Sequence, residues 1–299
     1  MNRPFEVDAV EYPFKDHWLP YQDGSVHYLD EGQGPIVLLL HGNPTWSYLY
    51  RNVIKELRDH CRLIALDYPG FGMSKAPSGY GFTPAEHSDM LADFIQRLEL
   101  KNIVLVAQDW GGPIGLNYAV RHRENLQGIV MMNTWAWPAD PFKKLFSLLM
   151  GGRPLGYWLQ TQRNFFAMVI VPFGIYHSEK VTEVLRKAYI DPFPTPESRI
   201  PTWIFPRQIR KAGSWLAEIE SKLPLLSDLP VQILWGTKDR GFPLADVAKW
   251  QGYLKQQETE LLSDASHFVQ EDRPDRVAAS IRRVLERTSE KISESGLAA

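Results

Sequence analysis

The sequence predicts an α/β fold, a mostly parallel sheet with helices on both faces. Three observations lead there: short unbroken apolar runs, amphipathic stretches between them, and one aromatic-rich segment that interrupts the alternation. A strand buried on both faces reads as a continuous apolar run, whereas a strand with one wet face alternates. Ile36 to Leu40, Leu63 to Leu66, Ile103 to Val106, Ile129 to Met132 and Val231 to Trp235 are runs of the buried kind. Before them, His17 to Tyr21 and Ser25 to Asp30 read as an antiparallel hairpin joined at Asp23-Gly24, a dipeptide favoured in tight turns. Glu260 to Leu262 adds a short strand near the end, making eight.

The intervening segments carry helical periodicity. Leu91, Phe94, Ile95 and Leu98 form one apolar stripe with Asp93, Gln96 and Arg97 opposite, and Val277, Ile281 and Val284 repeat the pattern after Pro274. The segment 135–225 departs from it, holding 15 of the chain's 36 aromatics and 10 of its 22 prolines. Its amphipathic pieces, such as Lys143 to Met150 and Lys211 to Leu223, predict a helical cap over the carboxyl edge of the sheet, where open α/β folds bind ligands. The expected organisation is therefore a core of residues 1–134 and 226–288, a cap over 135–225, and a tail over 289–299 that frays.

Composition narrows the function. Of 299 residues 44% are hydrophobic and 23% charged, which is a globular composition, and a net charge of −2 supplies no basic field for nucleic acid. One cysteine, Cys61, excludes a disulfide framework and a cysteine zinc site, and reads as an inert thiol at a strand start. The first 21 residues hold no apolar run long enough for a secretory signal or a membrane span, so a soluble cytoplasmic protein is expected.

The chemistry lies at the strand ends. Ile103 to Val106 is followed by Ala107-Gln108-Asp109-Trp110-Gly111-Gly112 and a helix starting near Pro113. Small residues two places either side of Asp109 are what a sharp strand-to-helix turn requires, so this is a nucleophile elbow with Asp where Ser is usual. Taken singly, such an Asp also reads as a helix N-cap. The turn His41-Gly42-Asn43-Pro44 aims the Asn43 backbone N–H at the space above Asp109, and the Trp110 N–H supplies a second oxyanion donor. Ser266-His267-Phe268 places a His in a loop after the last strand, in the nucleophile, acid, His chain order of such elbows. A carboxylate must hold that ring, and of the two strand ends able to supply one, Asn133 cannot ionise whereas Asp239 in Gly236-Thr237-Lys238-Asp239 can.

These motifs, with Thr45-Trp46-Ser47-Tyr48-Leu49-Tyr50-Arg51, Asp67-Tyr68-Pro69-Gly70-Phe71-Gly72-Met73-Ser74 and Asn133-Thr134-Trp135, resemble the haloalkane dehalogenases of the α/β-hydrolase superfamily over almost the whole chain. The resemblance implies an α/β-hydrolase fold with the cap inserted after the sixth strand. It implies an Asp109 nucleophile, a His267 base and an Asp239 acid, with Asn43 and Trp110 holding the halide. It also implies a small halogenated alkane and water as reactants, and an alcohol, halide and proton as products. Neither metal nor organic cofactor is implied, and neither nucleic acid nor membrane as partner. Trp135, Trp137, Phe142, Phe146, Phe165 and Phe166 are the candidate apolar walls.

Two alternatives stand beside this expectation. An epoxide hydrolase shares the fold and the Asp and His chemistry but needs cap proton donors, for which Tyr157, Tyr176 and Tyr189 are available. A non-catalytic ligand receptor on the same scaffold is the other, since a fold does not fix a function.

Overall fold

The structure, a computed structural model, describes residues 2–297, and for 292–297 only the backbone. Eight strands form one sheet: β1 (His17–Tyr21), β2 (Gly24–Glu31), β3 (Ile36–Leu40), β4 (Arg62–Leu66), β5 (Ile103–Gln108), β6 (Leu126–Met132), β7 (Val231–Gly236) and β8 (Gln257–Leu262). Their order is β1-β2-β4-β3-β5-β6-β7-β8. β1 and β2 pair antiparallel with their neighbours, and every pairing from β4 to β8 is parallel. All six residues of β5 are buried, as its apolar run requires.

The hairpin differs from expectation at its turn. Tyr21 pairs with Gly24, so Gln22 and Asp23 form the turn, with Gln22 in the left-handed region at φ 51°. Gly24 is a strand residue, and glycine is needed there because a Cβ would meet the backbone of Lys75, which bridges to Ser25.

Helices α1 (Arg51–Leu57), α2 (Pro84–Arg97) and α3 (Gly111–Arg121) cover the first half. α2 begins before its apolar stripe because a capping box sets the start: Thr83 Oγ1 accepts from the Glu86 N–H, and Glu86 accepts from the Thr83 N–H at 2.9 Å. Between β6 and β7 the chain inserts α4 (Pro141–Gly151), α5 (Leu155–Arg163), a π-helical turn over Phe166–Ile170, α6 (Val171–Phe173), α7 (Glu183–Ile190), α8 (Ile200–Lys211) and α9 (Gly213–Lys222). α10 (Leu244–Tyr253), α11 (Val269–Asp272) and α12 (Pro274–Leu297) complete the fold. The tail expected to fray over 289–299 is instead helical to Leu297, and 298–299 lie outside the described residues. No proline interrupts the ladder there, and Lys291 Nζ donates to the Asp228 carbonyl at 2.7 Å, tying the last turns to the core. Among the described residues no helix is long and apolar enough to cross a membrane.

A buried ion cluster fixes two loops at the carboxyl edge. His27 on β2 bonds Asp67 through Nδ1 at 2.8 Å and Asp16 through Nε2 at 3.1 Å, with its ring fully buried. Burial opposes the charged ring, but the two carboxylates prevail and raise it to about 9. Asp67 also accepts from the Ser47 N–H at 2.8 Å and the Met73 N–H at 2.9 Å. The segment Asp67 to Ser74 is thus a clamp that sets the loops following β3 and β4.

Candidate active site

Asp109 stands where β5 turns into α3, in the left-handed region at φ 50°. A non-glycine residue is strained there, and the surroundings hold it. The Asp109 carbonyl accepts from Thr134 Oγ1 at 2.6 Å and from the Gly112 N–H at 3.0 Å, while the Asp109 N–H donates to the Asn133 carbonyl at 3.2 Å. Glycines are obligatory beside it. A Cβ on Gly111 would meet the Leu40 carbonyl at 2.5 Å, one on Gly112 would strike Thr134 Oγ1, and one on Gly42 would strike the Asp109 carboxyl itself.

The carboxyl group projects towards a cavity. Burial raises it above the ordinary carboxylate value, while the charge of His267 and the backbone N–H groups of Trp110 and Asn43 favour its anion. The Asn43 N–H donates to Asp109 Oδ1 at 2.9 Å. The side chains of Asn43 and Trp110 both line the same cavity. Among the described residues no protein atom accepts from Asn43 Nδ2 or from the Trp110 indole N–H, and Asn43 Oδ1 is likewise buried without a partner. Buried polar groups ordinarily find partners, so an uncommitted amide and indole on a cavity wall suit a ligand.

His267 Nε2 lies 3.9 Å from Asp109 Oδ2, and Nδ1 bonds Asp239 Oδ2 at 2.8 Å. Burial opposes charge on this ring, but the charge and hydrogen bond of Asp239, with Asp109 behind, raise it above the ordinary histidine value. The ring stacks on Phe242. The structure therefore brings Asp109, His267 and Asp239 together from three strand ends.

Two further residues belong to this arrangement. Asn133, at the end of β6, donates through Nδ2 to Asp239 Oδ2 at 2.9 Å and to the Gly236 carbonyl at 3.1 Å, and accepts from the Gly236 N–H at 2.9 Å. It cannot ionise, which set it aside as the acid, yet it orients the acid. Gln108 Nε2 sits 2.9 Å from His267 Nε2 and donates to the His267 carbonyl at 3.1 Å. Its place beside the elbow was the signal available in the sequence.

The cavity measures about 620 Å³, the size class of small-ligand sites. Trp135, Phe142, Phe146 and Phe166 line it, but Trp137 and Phe165 do not. Trp137 instead packs on Trp250 with the Lys249 ammonium over its face. Phe165 and Phe166 are neighbours on a helical turn, so their side chains diverge by about 100° and one alone meets the cavity. Ile170, Phe173, Ile175, Pro206, Ile209 and Phe242 complete the apolar wall. No short-range pattern distinguishes these from residues of the insertion's own core.

Residues 35–274 match the family model of the alpha/beta hydrolase fold. Haloalkane dehalogenase 2 of Mycobacterium bovis is 39% identical, over 94% of this chain and 98% of that protein. The chain belongs to the haloalkane dehalogenase family. Among solved structures, the haloalkane dehalogenase DatA of Agrobacterium tumefaciens C58 is similar at a TM-score of 0.80 and 28% identity, over 92% of this chain and 97% of that one. A further relative of this dehalogenase-family chain, the cis-3-alkyl-4-alkyloxetan-2-one decarboxylase of Shewanella oneidensis, is 32% identical over 92% of this chain and 90% of its own length.

Proposed function

We propose that this protein is a haloalkane dehalogenase, cleaving carbon–halogen bonds by hydrolysis through an alkyl ester on Asp109. A carboxylate attacks saturated carbon with no proton to remove first, so an Asp elbow suits this reaction as a Ser elbow suits acyl transfer. Asp109 would displace the halide in line, and the Asn43 amide and Trp110 indole would hold the departing anion. Neither donor is anionic, as leaving-group stabilisation in an apolar cavity demands. His267 would then take a proton from water attacking the Asp109 carbonyl carbon, with Asp239 stabilising the imidazolium. The oxyanion would rest on the backbone N–H groups of Asn43 and Trp110. Gln108 and Asn133 act as positioning residues for the ring and the acid, and the 135–225 insertion acts as the cap that excludes bulk water.

The observation that carries this reading is a pair of cavity-lining donors, Asn43 Nδ2 and Trp110 Nε1, with no protein acceptor among the described residues, beside an Asp 3.9 Å from the His267 ring. Its test is bromide release from 1,2-dibromoethane by the wild type and by Asp109→Ala, with turnover expected only in the former. The epoxide alternative lacks donors: Tyr157 is absent from the cavity wall and packs on Trp203, Tyr189 donates to Glu271 at 2.5 Å, and only Tyr176 lines the cavity. Diol formation from an epoxide without bromide release would reinstate it.

The similarity to an oxetanone decarboxylase supports a second reading on the same residues. Attack of Asp109 on the ring carbon bearing oxygen would open the oxetan-2-one to an ester with a free carboxylate, held by Asn43 and Trp110. Loss of carbon dioxide would then expel Asp109 and leave an alkene. That sequence consumes no water, so His267→Gln would keep carbon dioxide release while losing haloalkane turnover.

A further inference from the structure

The cavity wall carries three cations: Lys143, Lys238 and Arg240. They differ in how they are occupied. Lys143 is buried and its Nζ is bound to Asp246 at 2.9 Å and to Asp140 at 3.2 Å, so its charge is internally matched. Lys238 and Arg240 are exposed, and among the described residues neither has a carboxylate partner. Arg240 instead lies over the ring of Phe173, 5.2 Å from its centroid, and Phe173 is 60% exposed.

These residues mark the rim. Lys238 and Arg240 flank Asp239 on the loop after β7, Phe173 of the insertion meets that loop through Arg240, and Tyr176 lines the same cavity. The carboxylates on the cavity wall, Asp109 and Asp239, are both turned inward to hydrogen bonds with Asn43, His267, Asn133 and the Gly241 N–H. Two positive groups without counter-charge thus stand at the mouth of a chamber whose depth is apolar. An uncharged alkane uses neither of them.

We infer that the mouth recognises the anionic head of an alkyl substrate, so that the preferred class is a haloalkane ending in a carboxylate, its halogen-bearing carbon at Asp109 and its carboxylate at Lys238 and Arg240. The guanidinium offers a planar pair of donors matched to a carboxylate, and the lysine adds a mobile point charge. Threading places the apolar methylenes against the aromatic wall and leaves the head in water at the rim. The inference rests on the dehalogenase reading and narrows it to a substrate class.

The test compares kcat/KM for 6-bromohexanoate, 8-bromooctanoate and 10-bromodecanoate with their methyl esters, which replace the head-group charge by a methyl group. The wild type is expected to prefer one acid over its ester by about tenfold, the scale of one charge-assisted contact at a partly exposed site. The preference should peak at one chain length, fall with added salt, and collapse to about unity in Lys238→Gln/Arg240→Gln. Equal rates for acid and ester, or a preference that survives in the double variant, would overturn the proposal. Binding of octanoate against octan-1-ol, followed by tryptophan fluorescence, needs no turnover. Tighter octanoate binding that the double variant loses supports the rim site even if no bromide is released, in which case the dehalogenase reading alone fails. Equal binding of the two overturns the rim site.

Discussion

Two His–Asp pairs in this molecule share one geometry and differ in everything that follows. His27 and His267 each bond a carboxylate through Nδ1 at 2.8 Å. His27 Nε2 bonds a second carboxylate, Asp16, so both ring nitrogens face anions and the ring is held as a cation away from solvent and cavity. His267 Nε2 faces an amide, a carboxyl at 3.9 Å and the cavity. A ring with two carboxylates has no nitrogen free to accept a proton, whereas a ring with one carboxylate and an open side can cycle. Proton transfer is thus decided by what stands at the second nitrogen, not by the strength of the first bond.

The comparison is broken most severely at the nucleophile. Asp109→Ala should lower bromide release by about 10⁴-fold or more, since it removes the carboxylate proposed to form the ester, and Asp239 on the same wall is engaged by His267, Asn133 and the Gly241 N–H. His267→Gln should separate the two chemical steps: one halide per active site is released, then turnover stops, with a loss of about 10²–10⁴-fold. Mass spectrometry should then find the alkyl ester on Asp109, and an unmodified protein would refute the assigned order of events.

Acid pH should mimic that variant reversibly. With the neutral ring as the proposed base and its pKa raised, ester hydrolysis should climb with pH through the raised value and fall about tenfold per unit below it. Rapid-quench measurement of the ester at descending pH tests this, and an ester level independent of pH would count against His267 as the base.

His27 should respond in the opposite currency, in stability. His27→Gln strands the buried Asp67 carboxylate and should cost about 3–5 kcal/mol of unfolding free energy. In the wild type the ring's folded-state pKa of about 9 lies above its ordinary 6.5, so the stabilisation is complete below about pH 6.5 and lost as pH rises through about 9, up to about 3 kcal/mol. Denaturant titrations at both ends of that window should show the loss in the wild type and little of it in the variant. The mildest perturbation is Gln108→Leu, which frees His267 Nε2 from its amide neighbour. It should reduce turnover by about tenfold and move the base limb of the pH profile, whereas a merely structural role would leave that limb in place.

The sequence made the sheet legible because full burial leaves a pattern, the unbroken apolar run, that local reading can detect. It made Asp109, Asp239 and His267 legible because chain order and small neighbours constrain an elbow. The hairpin turn was displaced by one residue because Asp23-Gly24 is good turn chemistry locally, yet the close approach of Lys75 claims Gly24 for the strand. Trp137 and Phe165 were placed on the wall and Phe242 was not, because facing a cavity and facing a core look alike until partners distant in the chain are known. Asn133 was judged by whether it could ionise, and its contribution lies in geometry instead.

The insertion leaves the sheet after β6 and returns at β7, whose residues pair in register, Met132 with Leu234. It is therefore an ordinary parallel-strand crossover made long, and a crossover tolerates length without disturbing the strands it joins. The chamber's walls can be rebuilt, by natural drift or by grafting a different loop of helices, while the elbow, the ring and its acid stay where the sheet sets them.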